Sequence, residues 1–341
     1  MKKNFKCEKC GGLLRFNPRT KLAECEKCGS DQSVDFDKQI LRHKINMDGE
    51  VQEPSIDDYS LKCISCGASF QGGSFKIMGT CQYCGSHLVE DFDLSLSLKP
   101  DGVIPFAFDK EEARERFKAG IKKKAFLPNA FKRTPPDSDI QSIYIPAFVF
   151  DCESTTEYKG RLAYRESRGN ETIYREDKIS GTQYVDDRGI LIECSEYMTQ
   201  LNLDSIKPFD LSGEYSYNPI FLMGYSVEHF NRKLSDVRDM VKQIHSANVR
   251  RIVLENYSYD SVKSFNAETH YISSNYGYII LPTYKIAYSY KGKTYNTFMN
   301  GQTGKIDSNL PKSGWKIFLT VLAVLGVIGG FLSLLAWAVG Q

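Results

Sequence analysis

The sequence predicts a chain of several parts: two small β zinc ribbons, a mainly antiparallel α+β middle domain, and one C-terminal transmembrane helix. Three observations lead to this fold class. Four C-x-x-C motifs lie in the first quarter, helical and strand patterns alternate through the middle, and an uncharged apolar run lies near the end. The predicted boundaries are 1–35 and 61–92 for the ribbons, 36–60 for an acidic, polar linker, 101–310 for the middle domain and 317–339 for the membrane helix.

The cysteines of the first quarter form two equal sets. In each set two C-x-x-C motifs are separated by fourteen residues, and glycine follows the second cysteine of every motif. Zinc prefers four soft ligands in a tetrahedron, and glycine permits the positive φ that turns backbone amides towards the sulfurs. We therefore predict two structural Zn²⁺ ions, with the ligands Cys7, Cys10, Cys25 and Cys28 in the first ribbon and Cys63, Cys66, Cys81 and Cys84 in the second.

Other uses of these cysteines are less favoured. Disulfides belong to oxidising compartments, whereas Met1-Lys-Lys-Asn-Phe-Lys leads directly into Cys7 without a secretory signal. A thioredoxin-like redox site has one C-x-x-C beside a βαβ pattern, not four. Other metals remain an alternative to zinc. Cys152 and Cys194 lie outside any ligand motif, and we interpret them as buried thiols.

The first helix of the middle domain is predicted to start after Asp109. Asp109 and Glu112 have the spacing of a capping box, and Pro128 is expected to end the helix near Leu127. Its buried stripe follows at four-residue spacing: Ala113, Phe117 and Ile121.

Strand patterns follow this helix. Residues 143–150 alternate as a strand does, and the Tyr-rich run 157–187 predicts successive antiparallel strands joined at Gly160, Gly169 and Gly181. From residue 271 to 306 the strand pattern returns, with turns expected at Lys291-Gly292-Lys293 and across 300–304.

A second helix is predicted after Ser226. Its apolar residues repeat at spacings of three and four: Val227, Phe230, Leu234, Val237, Val241 and Ile244. Core packing is the favoured reason for this stripe, and a short intermolecular coiled coil is the alternative.

The C-terminal run, 317–339, contains no charge and no proline. As a helix its 23 residues would extend about 34 Å, enough for a hydrocarbon core of about 30 Å. Lys312 and Lys316 precede it, so the positive-inside rule predicts a tail-anchored, single-pass cell-membrane protein whose residues 1–316 are cytoplasmic. Gly326 and Gly330 have the G-x-x-x-G spacing that lets two helices pair, which suggests a homo-oligomer.

Charge and motif content narrow the function. The formal net charge is +2, but residues 110–133 carry nine cations against three anions, a net +6. Such a face could meet anionic headgroups, dock an acidic partner, or simply be solvated. None of the five histidines lies in an HExxH frame, and no nucleotide-binding or serine-nucleophile motif is present. We therefore predict a non-enzyme.

The ribbons are weak candidates for nucleic acid. Residues 1–30 carry +5, reduced by two when four thiolates hold Zn²⁺, and residues 61–92 are balanced. Because nucleic-acid affinity comes mostly from neutralising phosphates, docking of proteins is the preferred use of these ribbons. A membrane-tethered protein that binds nucleic acid in replication or transcription is the alternative function.

The order of parts resembles a family of bacterial membrane proteins with tandem N-terminal zinc ribbons, described as TFIIB-type or as similar to the zinc-binding part of the PriA helicase. The resemblance covers the four cysteine knuckles, 103–117, 143–151, 281–306 and the terminal run. It implies a membrane-anchored scaffold that recruits a coat protein of the phage-shock protein A type, and other membrane proteins, in envelope stress. Helicase activity does not carry over, because the chain has no ATP-binding motif.

Overall fold

The computed structural model describes residues 7–12, 14–33, 36–53, 60–62, 69–71, 100–133, 139–168, 171–195, 198–222, 225–228, 232–307 and 310–339. These ranges contain five α-helices: α1 Lys110–Lys123, α2 Asn129–Arg133, α3 Gln200–Ile206, α4 Leu234–Glu255 and α5 Gly314–Val339. Their strands are β1 Leu14–Phe16, β2 Ala23–Cys25, β3 Asp31–Gln32, β4 His43–Lys44, β5 Ser60–Lys62, β6 Ser69–Gln71, β7 Gly102–Val103, β8 Asp139–Arg168, β9 Glu171–Glu193, β10 Tyr215–Ser216, β11 Ser226–Val227, β12 Ser261–Tyr290 and β13 Lys293–Asn300.

A mixed sheet of eight strands forms the body. Its main path is β10-β7-β12-β8-β11, with β4 and β13 also on β12 and β9 on β8. The β7–β12 and β8–β11 pairs are parallel, and the others are antiparallel. The described fold is therefore mostly β, and the predicted fold class, a mainly antiparallel α+β domain with a membrane helix, is corrected to this mixed sheet with helices on it.

The long central strands run through two of the predicted turns. Gly160 lies inside β8 opposite Ile179, and Gly181 lies inside β9 opposite Tyr158. A Cβ at Gly160 would lie 2.8 Å from the backbone oxygen of Ser264, and one at Gly181 would lie 2.8 Å from the Tyr158 hydroxyl. These glycines allow close approach across strands, so reading them as turns was wrong. The third expected turn, at Gly169, is outside the described residues.

Side-chain alternation along β8 builds a core on each face of the sheet. Tyr144 packs in the cluster that includes α1, and Phe148 in the one that includes α4. Ile145 and Val149 pack instead with residues of α3. The helices therefore cover apolar strand residues on both faces.

The predicted start of α1 and its predicted buried stripe are both confirmed. The Asp109 side chain accepts a hydrogen bond from the Glu112 amide at 2.9 Å, and the predicted stripe of Ala113, Phe117 and Ile121 is buried. The helix ends at Lys123, four residues before the predicted end, because Lys124 leaves the helical conformation with φ −76° and ψ 118°.

The second long helix starts later than predicted. Val227 belongs to β11, which pairs in parallel with β8, and α4 begins only at Leu234. Phe230 lies outside the described residues. An apolar residue fits a strand as readily as a helix face, and pairing with the sheet decides the matter here. Core packing is confirmed for Leu234, Val237 and Val241, which are buried against the sheet, but Ile244 is 38% exposed and does not belong to the buried stripe.

No helix in the described part of the chain is long and apolar enough to cross a membrane. This finding overturns the predicted transmembrane helix at 317–339 and the predicted single-pass cell-membrane localisation. Gly326 and Gly330 lie in an exposed stretch of α5, and pairing through them stays a prediction.

The strap, residues 36–53 of the predicted linker, lies on the body. It adds β4 to β12, buries Met47 to 1% exposure, and joins the cluster beneath α4. Glu53 accepts hydrogen bonds from the amides of Leu234 and Ser235 at 2.7 and 2.9 Å. Since α4 has no capping side chain of its own, the strap satisfies its N-terminus.

Candidate metal centre and the ribbon that carries it

Two cysteine knuckles fold back on themselves in the N-terminal ribbon, whose strands β1, β2 and β3 form an antiparallel sheet. The Gly11 amide donates to the Cys7 carbonyl at 2.8 Å, and the Gly29 amide donates to the Cys25 carbonyl at 2.9 Å. Both glycines have positive φ, 67° and 65°. A Cβ at either position would meet no atom within 4 Å, so conformation rather than space requires glycine here.

The knuckles bring four sulfurs together. Cys7 Sγ lies 3.7 Å from Cys28 Sγ, and Cys10 Sγ lies 3.5 Å from Cys25 Sγ. All four ligand atoms lie within 4.8 Å of one another. Four sulfurs about 2.3 Å from one tetrahedral ion would be about 3.8 Å apart. The predicted residues of the first set therefore form a cluster that could hold one metal ion.

Ser30 supports this cluster from beside the second knuckle. Its hydroxyl lies 3.3 Å from Cys7 Sγ and 3.0 Å from Cys28 Sγ. These contacts favour thiolate, and the hydrogen bond from Ser30 lowers the pKa of Cys7 to about 6 and also lowers the pKa of Cys28. Sequence reasoning missed Ser30, although its place two residues after Cys28 marks it as a neighbour.

The second predicted set lies outside the described residues: Cys63, Cys66, Cys81 and Cys84. The paired strands β5 and β6 flank its first knuckle. Within the described chain, the cysteine cluster of the first ribbon is the group that could bind a metal, so one candidate site is supported where two were predicted. Cys152 and Cys194 are both buried, as expected for structural thiols.

The ribbon is fixed to the body by an aromatic contact. Phe16 of β1 packs edge-on against Phe221 at 4.9 Å between ring centroids, and Phe36 stacks on Phe221 at 4.4 Å. Ile220 joins the small cluster that contains Cys7 and Cys25. An ion pair of 2.7 Å between Arg19 and Asp109 adds a polar contact. The sheet of the ribbon therefore faces the body, while Cys28 at the knuckle tip is exposed.

A Ser–His–Asp arrangement joins α4 to the sheet. His245 Nδ1 lies 3.1 Å from an oxygen of Asp187, and His245 Nε2 lies 2.7 Å from Ser154 Oγ. Because a carboxylate only accepts, Nδ1 carries the proton, and in the neutral ring Nε2 accepts from the serine hydroxyl. This order is that of a hydrolase triad.

Burial assigns these three residues a structural role. Ser154 and His245 have no exposed surface, and Tyr271 lies against the imidazole, so a substrate has no access to the hydroxyl. The position of His245 in the predicted second helix left a solvated or a satisfied histidine open, and the structure shows it buried with partners at both ring nitrogens. Its partners were missed because they lie 91 and 58 residues away and no local pattern joins them.

We expect Asp187→Asn to destabilise the body by about 2 kcal/mol at neutral pH, the usual cost of losing hydrogen bonds to a charged group. Although burial alone would raise the pKa of Asp187, hydrogen bonds from His245 and Asn248 lower it below its usual value. The stabilisation is therefore complete above the pKa of an unfolded aspartate and is lost as the pH falls through the lower folded value.

Urea unfolding at neutral and acidic pH measures this effect. The difference in unfolding free energy between wild type and Asp187→Asn should shrink at acidic pH, where wild-type Asp187 is protonated and therefore uncharged, as asparagine is. Asp177→Asn is the matched control, because Asp177 lies on the same strand in an ion pair at the surface with Arg175. Equal losses of stability for the two variants at neutral pH would show that the buried cluster stabilises the fold no more than a surface ion pair does.

Comparison with known proteins finds a similarity that extends over nearly the whole chain. Over 337 residues the chain is 25% identical to the uncharacterized protein YdjG of Bacillus subtilis (strain 168), and the match covers 97% of this chain and 96% of that protein. No family model and no solved structure matches. The ribbon and the body are therefore both parts of a chain that is similar to YdjG from end to end.

Proposed function

We propose that this protein is a docking adaptor. Its N-terminal ribbon, held by a structural Zn²⁺ ion, is the docking module, and its partner is a coat protein of the phage-shock type. A second structural Zn²⁺ ion at Cys63, Cys66, Cys81 and Cys84 belongs to the same proposal. One observation carries the proposal. The ribbon that bears the cysteine cluster packs with one face on the large β body, and Cys28 at its knuckle tip is exposed.

The chemistry of the cysteine cluster supports a docking role. Four cysteines complete a tetrahedral shell and leave no position for a metal-bound water, so the ion would act by holding the ribbon in shape. The ribbon has a small core: Cys7, Leu14, Ala23 and Cys25 are buried in one cluster, and Phe16 is buried against the body. A shape that depends on a metal can serve as a rigid recognition surface on the body.

The test is affinity purification of the tagged full-length protein from native cells, followed by mass spectrometry. We expect the coat protein to be recovered with wild type and with Cys152→Ala. With Cys7→Ser/Cys10→Ser the recovered amount should fall at least about tenfold. Cys152 is a buried cysteine of the body and serves as the matched control. Absence of the coat protein from the wild-type sample would refute the proposed partner.

The same experiment tests the alternative function, binding of nucleic acid. A protein linked to replication or transcription should recover nucleic acid or polymerase subunits, in amounts that fall steeply with added salt. That outcome would replace the adaptor with a nucleic-acid-binding protein.

A further inference from the structure

A groove of about 480 Å³ lies where the ribbon meets α1. It is lined by Arg19 from the ribbon and by Glu112, Glu115, Arg116 and Ala119 from the helix. Neither part forms the groove alone. We propose that this ribbon–helix groove is the docking site for an acidic segment of a partner protein, an inference that rests on the proposed adaptor function and names the surface it uses.

The ribbon presents Arg19 from a tight turn between β1 and β2. The Asn17 side chain accepts hydrogen bonds from the amides of Arg19 and Thr20 at 2.9 and 3.3 Å, and Lys21 has a positive φ of 58°. An ion pair between Arg19 Nε and Asp109 holds the guanidinium at the groove, where 59% of the side chain stays exposed. A guanidinium held in this way loses less freedom when it binds a carboxylate.

Arg116 faces the groove from the helix and is also held in place. Its guanidinium donates to Glu112 at 2.7 and 2.9 Å and lies 4.3 Å above the ring of Phe108. A contact of 3.4 Å to the carbonyl of Thr303 completes its support. Two arginines from distant parts of the chain are thereby fixed at one groove, and arginine is the side chain best suited to paired contacts with carboxylates.

Charge around the groove favours an acidic partner. The turn 19–21 and residues 109–123 together carry eight cations and four anions, a net charge of eight minus four, or +4. Lys122 and Lys123 are exposed at the end of α1 and extend the positive surface one helical turn beyond Ala119. A positive field of this kind speeds the approach of an acidic segment and selects for it.

The composition of the groove favours a peptide over nucleic acid. Glu112 and Glu115 line it together with the arginines, so a continuous run of phosphates would lie against carboxylates. The nearby ring of Phe108 is buried to 1% exposure beneath Arg116 and offers no platform on which a base could stack. A peptide can place separate carboxylates at the two arginines and neutral or basic side chains at the glutamates.

Fluorescence anisotropy with the full-length, zinc-loaded protein tests the inference. The probes are a short labelled glutamate-rich peptide, the same peptide with glutamine in place of glutamate, and a short labelled single-stranded DNA. We expect the acidic peptide to bind about tenfold more tightly than its glutamine counterpart and than the DNA. Arg19→Gln/Arg116→Gln should weaken its binding about tenfold, and Lys122→Gln/Lys123→Gln about threefold.

Arg161→Gln is the matched control, because Arg161 is an exposed arginine of β8 in the body. Its affinity for the acidic peptide should stay within about twofold of wild type. Zinc content and unfolding curves of the groove variant show that its ribbon is intact, and the lysine variant tests the same surface without touching the ribbon contact. Equal binding of the two peptides, equal losses in groove and control variants, or tighter binding of the DNA would each overturn the inference.

The outcome separates this inference from the adaptor function itself. If the coat protein is recovered in a manner that depends on the cysteines while the groove variants bind the acidic peptide as wild type does, the adaptor stands and docks through another face. If the groove binds the acidic peptide but the coat protein is never recovered, the docking surface stands and the named partner is wrong.

Discussion

Replacing Cys25 by serine is expected to remove one equivalent of zinc and to unfold the N-terminal ribbon. Cys25 is buried in β2, and its sulfur lies 3.5 Å from that of Cys10. Structural zinc contributes about 10–16 kcal/mol to small metal-dependent folds, far more than the few buried side chains of this ribbon supply. Zinc content by mass spectrometry and hydrogen exchange over residues 7–33 are the measurements.

Cys152→Ala is the control for this result. Cys152 is a free, buried cysteine of the body, so this variant should keep the full zinc content and the full protection of the ribbon. The sheet body should keep its protection in Cys25→Ser, since its core clusters around β8 and β12 include no metal ligand. Unchanged zinc content in Cys25→Ser would exclude the cysteine cluster as a metal site.

Arg42→Ala is expected to destabilise the body by about 3–5 kcal/mol, because it leaves a buried carboxylate without its counter-charge. Arg42 lies on the strap and makes a two-pronged contact with Glu214, at 2.7 and 3.0 Å. The Glu214 side chain is only 1% exposed. A Cβ at Gly102 would lie 1.9 Å from a Glu214 oxygen, and one at Gly277 would lie 2.8 Å from Arg42, so two glycines make room for the pair.

Urea unfolding of Arg42→Ala and of Arg15→Ala measures the difference that burial makes. Arg15 pairs with Glu24 at 3.3 Å on the surface of the ribbon, with half of its side chain exposed, and such pairs contribute up to about 1 kcal/mol. The double variant Arg42→Met/Glu214→Leu should recover much of the lost stability, because it removes both charges. A loss for Arg42→Ala no larger than that for Arg15→Ala would mean that solvent reaches Glu214.

Local patterns led to correct predictions wherever the physical cause is local. The C-x-x-C-G spacing places two sulfurs and a positive-φ glycine within one turn, and Gly11 and Gly29 have that conformation. The N-cap of α1 at Asp109 follows from neighbours in sequence as well, and so does the turn at Lys291-Gly292, in which both residues have positive φ. In each case the atoms that interact are a few residues apart, so tertiary structure is not needed to bring them together.

Predictions went wrong where one residue type serves two purposes. Glycine marks a turn, but it also permits two strands to come close, and at Gly160 and Gly181 the second purpose applies. Val227 fits a helical stripe, yet it pairs with Tyr144 in the sheet. These choices depend on what lies opposite the residue in space, which the order of residues along the chain does not specify.

The sequence by itself determined the four cysteines of the first candidate metal site, the start of α1 and the buried residues Leu234, Val237 and Val241 of α4, since short spacings specify each of them. Tertiary structure alone decided the buried Ser154–His245–Asp187 cluster, the Arg42–Glu214 pair and the meeting of Arg19 with Arg116 at one groove. The physical reason is distance along the chain. Contacts between residues 58 to 172 positions apart exist only after the sheet has formed and the ribbon has docked on it.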